Sequence, residues 1–296
     1  MTQNSNGREF ALLGVLALLW GGSYPLISVA VETIPPLTLI ALRVSVAALF
    51  LMAIVHLHGE RLPRDPMSWR RLLIQAFFNS IGAWTVLAWG QQFVESGLAS
   101  VLNSTSPIFV VLATLGQWSG MRSAVLRCAG AGAGLVGVVL IVGPDVLNGL
   151  GRDVLAQGAV ILGAMLYAGA ALYGRHLSHL SARVTAAGTM IWASVWLIPA
   201  AVIVDRPWTL NPSAESLAAA VALALFSTAF AMTIYFRLIR TLGPAGVASQ
   251  SYLRAGIGVV LGVVLLGETI EPTVWGGIAT ALAGVVLINL ASRTRR

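Results

Sequence analysis

The chain has no lysine: all eighteen of its basic residues are arginine, set against eleven acidic ones. Charged residues of both signs fill only 10% of its 296 positions, where a soluble domain carries roughly 25%. One cysteine, Cys128, rules out a disulfide within the chain and reads as a small buried residue. The four histidines, His56, His58, His176 and His179, fall at the ends of apolar segments. With a single cysteine, they form no cluster with metal-ligand spacing and no histidine-based catalytic centre at membrane depth. No cofactor is expected, and no enzymatic activity. Ser23, the obvious mid-segment nucleophile, has no base at its depth, which argues against an intramembrane protease. No aspartate or glutamate lies near the middle of an apolar segment, so no evident carboxylate is available for proton or sodium coupling.

What fills the chain instead is apolar sequence. Hydrophobic residues make up 57%, and the mean hydropathy is +0.84. A membrane span needs about 20 mostly apolar residues. Such segments fall near 10–31, 36–57, 70–92, 97–119, 124–143, 154–176, 183–204, 215–239, 244–267 and 271–291. The joins carry turn residues, among them Pro35-Pro36, Gly143-Pro144 and Pro207 to Pro212. A β-barrel is excluded, because its strands alternate over about 10 residues and do not stay apolar for twenty. The first segment is too long for a signal-peptide core and is expected to remain as a span.

The segments repeat. Gly130, Leu135, Gly137, Val138, Val139, Leu140 and Ile141 return 147 residues later as Gly277, Leu282, Gly284, Val285, Val286, Leu287 and Ile288. At the same offset Leu19, Trp20 and Gly22 fall on Leu166, Tyr167 and Gly169; one residue further out, Ala99-Ser100 matches Val247-Ala248 more loosely. Two copies of one unit are implied, 1–146 and 147–296, with five segments each. An odd number of spans ends on the side opposite its start, so the second copy enters upside down. The expected fold is therefore an all-α membrane protein of ten transmembrane helices in two inverted five-helix repeats.

Charge tests the topology independently. With the amino terminus inside, fourteen arginines from Arg8 to Arg296 lie on the inner edge, and only Arg152 and Arg206 on the outer. Acids lean outward: Glu32, Glu95, Asp145, Asp153, Asp205, Glu215, Glu268 and Glu271. Both termini are then cytoplasmic. The net charge of +7 is a topology signal spread over many edges, not a nucleic-acid footprint. Arginine in place of lysine, with much alanine and glycine, fits coding in a GC-rich bacterium and so a bacterial inner membrane. The expected partners are membrane lipid and a small-molecule substrate, with no nucleic acid.

Two motif matches carry no function. Gly132-Ala133-Gly134-Leu135-Val136-Gly137 fits a dinucleotide pattern, but that pattern follows a strand. Inside a span, small residues let helices approach. Asn103-Ser104-Thr105 fits a glycosylation acceptor at a depth no glycan reaches.

Polar and aromatic residues at mid-membrane are the candidates for binding. Trp20, Gly21, Gly22, Ser23, Tyr24 and Pro25 interrupt the first segment, and interrupted spans mark transporter sites. Asn79, Ser80 and Trp84 lie on the third; Ser100, Asn103 and Pro107 on the fourth; Tyr167 and Tyr173 on the sixth. Trp192 and Trp196 lie on the seventh, Thr228 and Tyr235 on the eighth, and Gln250, Tyr252 and Arg254 on the ninth. Each aromatic has packing or lipid contact as its alternative. Trp69, Trp118, Trp208 and Trp275 sit near segment ends, where tryptophan anchors. Arg43 and Arg254 are the sharpest signals, because an arginine at the bilayer centre costs about 2.5–3.5 kcal/mol and faces a cavity or a partner. Either one faces the substrate or locks helices through backbone carbonyls.

Trp20-Gly21-Gly22-Ser23, the run Ala99-Ser100 to Pro107, its counterpart Ser251-Tyr252-Leu253 to Gly267-Glu268, and the doubled Gly-Val-Val-Leu-Ile endings resemble the drug/metabolite transporter superfamily. The match is to its ten-span branch with two EamA-type repeats and covers essentially the whole chain. The resemblance implies export of small metabolites, and is closest to amino-acid exporters, including the aromatic amino-acid type. Many relatives read Tyr-Leu-Glu-Pro where this chain has Tyr252-Leu253-Arg254-Ala255, a change that suits an anionic group. Expected substrate contacts are Trp20, Ser23, Tyr24, Arg43, Asn79, Trp84, Asn103, Tyr167, Trp192, Gln250, Tyr252 and Arg254. Gly21, Gly22, Pro25 and Pro107 are the expected hinge and packing positions. A multidrug or cationic-compound exporter of the same superfamily would need an acid in the cavity. A passive channel would differ by conductance far above carrier turnover.

Overall fold

The computed structural model describes residues 3–90, 93–94, 96–114, 121–142, 147–148, 150, 153–254, 256–257 and 272–293. Within them the chain is helical, and no described residue is in a β-strand. The α-helices are α1 (Gln3–Gly21), α2 (Ser23–Val31), α3 (Pro36–Leu57), α4 (Pro66–Ala76), α5 (Gly82–Gly90), α6 (Ser96–Asn103) and α7 (Ser106–Ala113). They continue as α8 (Met121–Val142), α9 (Val154–Tyr173), α10 (Ala182–Val204), α11 (Ala214–Ala224), α12 (Ala231–Thr241), α13 (Gly243–Ala248) and α14 (Pro272–Arg293). π-helical turns at Phe77–Ile81 and Leu225–Phe230 join α4 to α5 and α11 to α12.

Six runs are long and apolar enough to cross a membrane: Pro36–Leu57, Met121–Ile141, Val154–Leu177, Ala182–Val204, Ala214–Thr241 and Pro272–Ala291. They coincide with six of the ten expected segments. The first and fourth expected segments are each two helices, and proline explains both breaks. A proline lacks an N–H and crowds the carbonyl four residues back. For Pro25 that carbonyl belongs to Gly21, the last residue of α1; for Pro107 it belongs to Asn103, the last residue of α6. The third segment is α4 and α5 joined through the π-turn. Much of the ninth lies outside the described residues, as do Glu95, Trp118, Asp145, Arg152, Glu268, Glu271 and the side chains of Tyr24, Pro25 and Ser100.

In lipid, apolar surface drives little helix association, so close backbone approach and hydrogen bonds have to hold the bundle. The seam between α8 and α14 depends on glycine. A Cβ on Gly130 would sit 2.9 Å from the Gly284 carbonyl, and one on Gly137 2.7 Å from the Gly277 carbonyl. The helices therefore run antiparallel. The 147-residue shift exchanges the two contacts, since it carries Gly130 to Gly277 and Gly137 to Gly284. Of the glycines in the dinucleotide-like run, Gly134 presses on the Tyr252 ring and Gly137 on α14, while Gly132 has no neighbour within 4 Å. The same face leaves Cys128 exposed with Val125 and Val136, so its expected burial is corrected. Helix rotation turns it outward, where a small thiol meets lipid at no cost.

α3 and α10 form a second antiparallel pair, tied at both ends. Asp205 Oδ2 accepts from the Thr38 N–H and hydroxyl, both at 2.7 Å, satisfying a free amide in the first turn of α3. At the far end, Glu60 accepts from Ser181 and pairs with Arg183. Trp208 and Trp275 are 68% and 58% exposed, as tryptophan anchors require.

Candidate functional site

The π-turn between α11 and α12 and the break between α1 and α2 are stitched together. The Ser227 hydroxyl donates to the Leu19 carbonyl at 2.7 Å, and Trp20 Nε1 donates back to the Ser227 carbonyl at 3.0 Å. Ser23 closes the break locally by donating to the Trp20 carbonyl at 2.7 Å. Backbone groups freed by an interruption must find partners inside a membrane, and serine is the usual supplier.

Arg43, on α3, reaches the same turn. Its Nε donates to Thr228 Oγ1 at 2.5 Å, and Nη2 donates to the Ser227 carbonyl at 3.1 Å. The guanidinium carbon lies 4.6 Å from the centroid of the Trp84 ring, a cation–π contact. The Thr228 hydroxyl in turn donates to the Leu223 carbonyl at 3.0 Å. With Trp20 and Arg43 as donors, both lone pairs of the Ser227 carbonyl are used. Among the described residues these are the only hydrogen bonds of Arg43. No bond of Nη1 is among them, and Arg43 locks α3 to the eighth segment.

Thr228, Met232 and Tyr235 recur at helical spacing and organise the group. Arg43 meets Thr228; Asn79 Nδ2 lies 3.3 Å from Met232 Sδ and 3.3 Å from Ser80 Oγ; the Trp20 ring meets Tyr235 at 5.6 Å. Tyr167 is within electrostatic reach of Arg43 and Tyr235. Of the expected contacts, Trp20, Ser23, Arg43, Asn79, Trp84 and Tyr167 thus converge. Ser227 was not among them: it contributes a carbonyl, which every residue has, and the π-turn that presents it has no sequence signature.

Other expected contacts are engaged elsewhere. Tyr252 is fully buried and donates to the Ala131 carbonyl at 3.0 Å, its ring against Gly134. Trp192 donates to the Trp69 carbonyl at 3.0 Å, its ring edge-on to Trp69 at 6.3 Å. Their described contacts pin α8 and α4, not the Arg43 group. A buried phenol or indole needs an acceptor, and a nearby carbonyl supplies one. Arg254 is half-buried, and its carbonyl would lie 3.3 Å from a Cβ on Gly21, so the ninth segment passes close to the α1–α2 break. Gly22 N–H still bonds the Leu18 carbonyl at 2.8 Å. Asn103 and Gln250, equivalent under the 147-residue shift, each enclose a side-chain oxygen with no hydrogen-bond partner. Among the described residues no group of three or more His, Cys, Asp or Glu is placed to hold a metal.

An interrupted span, a π-turn and a buried arginine on an aromatic ring define a polar centre inside a helical membrane bundle. The model of the EamA-like transporter family matches this chain twice, over residues 9–143 and 155–290. The chain belongs to that family, within the drug/metabolite transporter superfamily, and is a multi-pass membrane transporter. It is 29% identical over 281 residues to the uncharacterized inner membrane transporter YedA of Escherichia coli K12, covering 95% of this chain and 90% of that one. It is 27% identical over 290 residues to a probable terminal-alkyne amino-acid exporter of Streptantibioticus cattleyicolor, covering 96% and 94%. A solved crystal structure superposes with a TM-score of 0.77 over 95% of this chain and 98% of that one, at 18% identity, a likeness of fold alone.

Proposed function

We propose that this transporter exports small carboxylate-bearing metabolites, amino acids foremost and aromatic ones among them, across a bacterial inner membrane. The carrying observation is Arg43: a guanidinium stacked on Trp84, steadied by Thr228 and the Ser227 carbonyl, with Nη1 donors to spare. The guanidinium donors left outside these two bonds match a carboxylate oxygen. Trp20, Tyr167 and Trp84 offer aromatic surface beside it. The orphan oxygens of Asn103 and Gln250 are acceptors suited to an ammonium group. The exporter name of the Streptantibioticus relative supports the same class. A cationic-compound exporter needs an acid here, and the described residues of the group include none.

The architecture in this reading is ten spans in two inverted copies, 1–146 and 147–296, that rock about the polar centre. The exchanged glycine contacts of α8 and α14, and π-turns at nearly equivalent places in the two copies, support it. The experiment is a panel in proteoliposomes: radiolabelled amino acids and a cationic dye, each with and without a pH gradient. Amino-acid flux is expected to exceed that of protein-free vesicles, with the dye unmoved. Dye transport without amino-acid flux would refute the reading. Because no titratable acid lies near mid-membrane in the sequence, flux is expected to follow the substrate's own gradient or exchange. Uptake against a substrate gradient that collapses with an ionophore would refute that part.

Orientation follows the arginine asymmetry, with both termini cytoplasmic. Single cysteines at Asn148 and His58, both exposed, in a Cys128→Ser background report it. An impermeant thiol reagent on intact cells is expected to label the first and spare the second. The reverse pattern would invert the topology.

A further inference from the structure

At the end of the bundle that carries Glu9 and Thr241, a cleft of about 480 Å³ opens between α1, the start of α10 and α12. Arg8, Arg183, Arg237 and Arg240 line it, with Ser181 and Thr241. Two carboxylates meet these arginines, and each accepts hydrogen bonds on both oxygens. Glu9 takes Arg237 Nη2 at 2.6 Å on one oxygen and the Thr241 hydroxyl at 2.8 Å on the other. Glu60 takes Arg183 on one oxygen and Ser181 on the other. Burial pushes the Glu60 carboxyl up, but the hydrogen bonds from Arg183 and Ser181 outweigh it and hold it below the ordinary glutamate value, so it stays ionised. Among the described residues Arg8 and Arg240 have no ion pair; Arg240 Nε makes only a 3.3 Å bond to the Phe236 carbonyl. Arg237 Nε is enclosed with no partner. The first turn of α10 adds the positive end of a 23-residue helix.

Positive-inside asymmetry accounts for arginines along this edge, but it does not bring four of them from three helices into one cleft. Four guanidinium groups against two ionised carboxylates leave a focused excess of positive charge, and such clefts concentrate anions. We propose that this cleft is an anion-binding site, distinct from the Arg43 group, that takes the phosphate or carboxylate of a soluble metabolite or of a lipid headgroup. It rests on the proposed function only for the side it faces, the cytoplasm, where it would gather anionic substrate ahead of transport.

The test reads binding, so it stands or falls apart from transport. The purified full chain in neutral detergent is unfolded by heat at rising inorganic phosphate, with ionic strength held constant by sodium chloride. A saturable rise in the unfolding temperature is expected, since a ligand that binds only the folded state stabilises it. In Arg8→Gln/Arg240→Gln the half-saturating concentration rises about tenfold or more, as loss of charge-assisted bonds implies. Arg8→Gln alone, at an exposed position, shows a smaller rise and serves if the double variant does not fold. Arg43→Gln leaves the shift as in the parent. Mixed micelles of phosphatidylglycerol or phosphatidylcholine separate the sources. Abolition of the phosphate shift by phosphatidylglycerol alone assigns the site to a headgroup, and its persistence assigns it to a soluble anion. The proposal is overturned if neither phosphate nor phosphatidylglycerol gives a saturable shift. It is equally overturned if the Arg8 and Arg240 variants keep the parent response, or if Arg43→Gln removes it.

Discussion

Arg43→Ala lowers the flux of a carboxylate-bearing substrate about 10- to 100-fold, and that of a neutral analogue far less. A hydrogen bond to a charged group contributes about 1.5–3 kcal/mol, and 1.4 kcal/mol is a factor of ten. The substitution also strips a donor from Thr228 Oγ1 and one from the Ser227 carbonyl, which keeps Trp20 Nε1. Some stability is therefore lost with the charge. Arg43→Lys separates the two effects. It keeps the charge but loses the planar fork, the stacking on Trp84 and the simultaneous reach to Thr228 and Ser227. It is expected to recover folded protein and only a small part of the flux. The measurement is initial efflux from liposomes for paired substrates with and without the carboxylate, normalised to correctly folded protein. Equal loss for both substrates would make Arg43 a helix lock and nothing more.

Gly137→Leu is expected to destabilise the bundle by about 3 kcal/mol. A Cβ there would stand 2.4 Å from the Ala281 nitrogen and 2.7 Å from the Gly277 carbonyl, both backbone atoms that no rotamer change can move aside. α8 and α14 would have to separate, and the reciprocal Gly130–Gly284 contact would open with them. Gly132→Leu is the matched control on the same helix, five residues away, with no atom within 4 Å of the added Cβ. Thermal unfolding in detergent is expected to fall by roughly 10 °C for the first and by about 2 °C or less for the second. Similar midpoints for the two variants would mean that the glycine seam does not hold the helices.

The reach of the sequence is seen best by comparing Trp20 with Tyr252. Both stand at similar depth in apolar segments, and both are aromatic residues in polar surroundings. Hydropathy, period and spacing assign depth and a face; they do not assign the rotation of one helix against its neighbours. Trp20 turns toward the Ser227 carbonyl and Tyr252 toward Ala131, and only packing separates the two. The breaks were legible, because Pro25 and Pro107 act on the carbonyls four residues behind them whatever surrounds them. The π-turns were not, because a one-residue shift in hydrogen-bond register comes from tertiary contact and leaves no residue type to read.

By itself the sequence determined membrane residence, since so little charge and so much apolar length leave no other solvent. It determined the doubling, since residues matching at one offset over nine glycine, valine, leucine and isoleucine positions do not arise from composition alone. It also located the buried arginine. Only the tertiary structure decided what that arginine does: its partners are a backbone carbonyl and a threonine more than 180 residues away. A carbonyl belongs to every residue, so nothing in the residue types marks Ser227 as an acceptor. A helix with a π-turn, brought against a broken one, turned it into one.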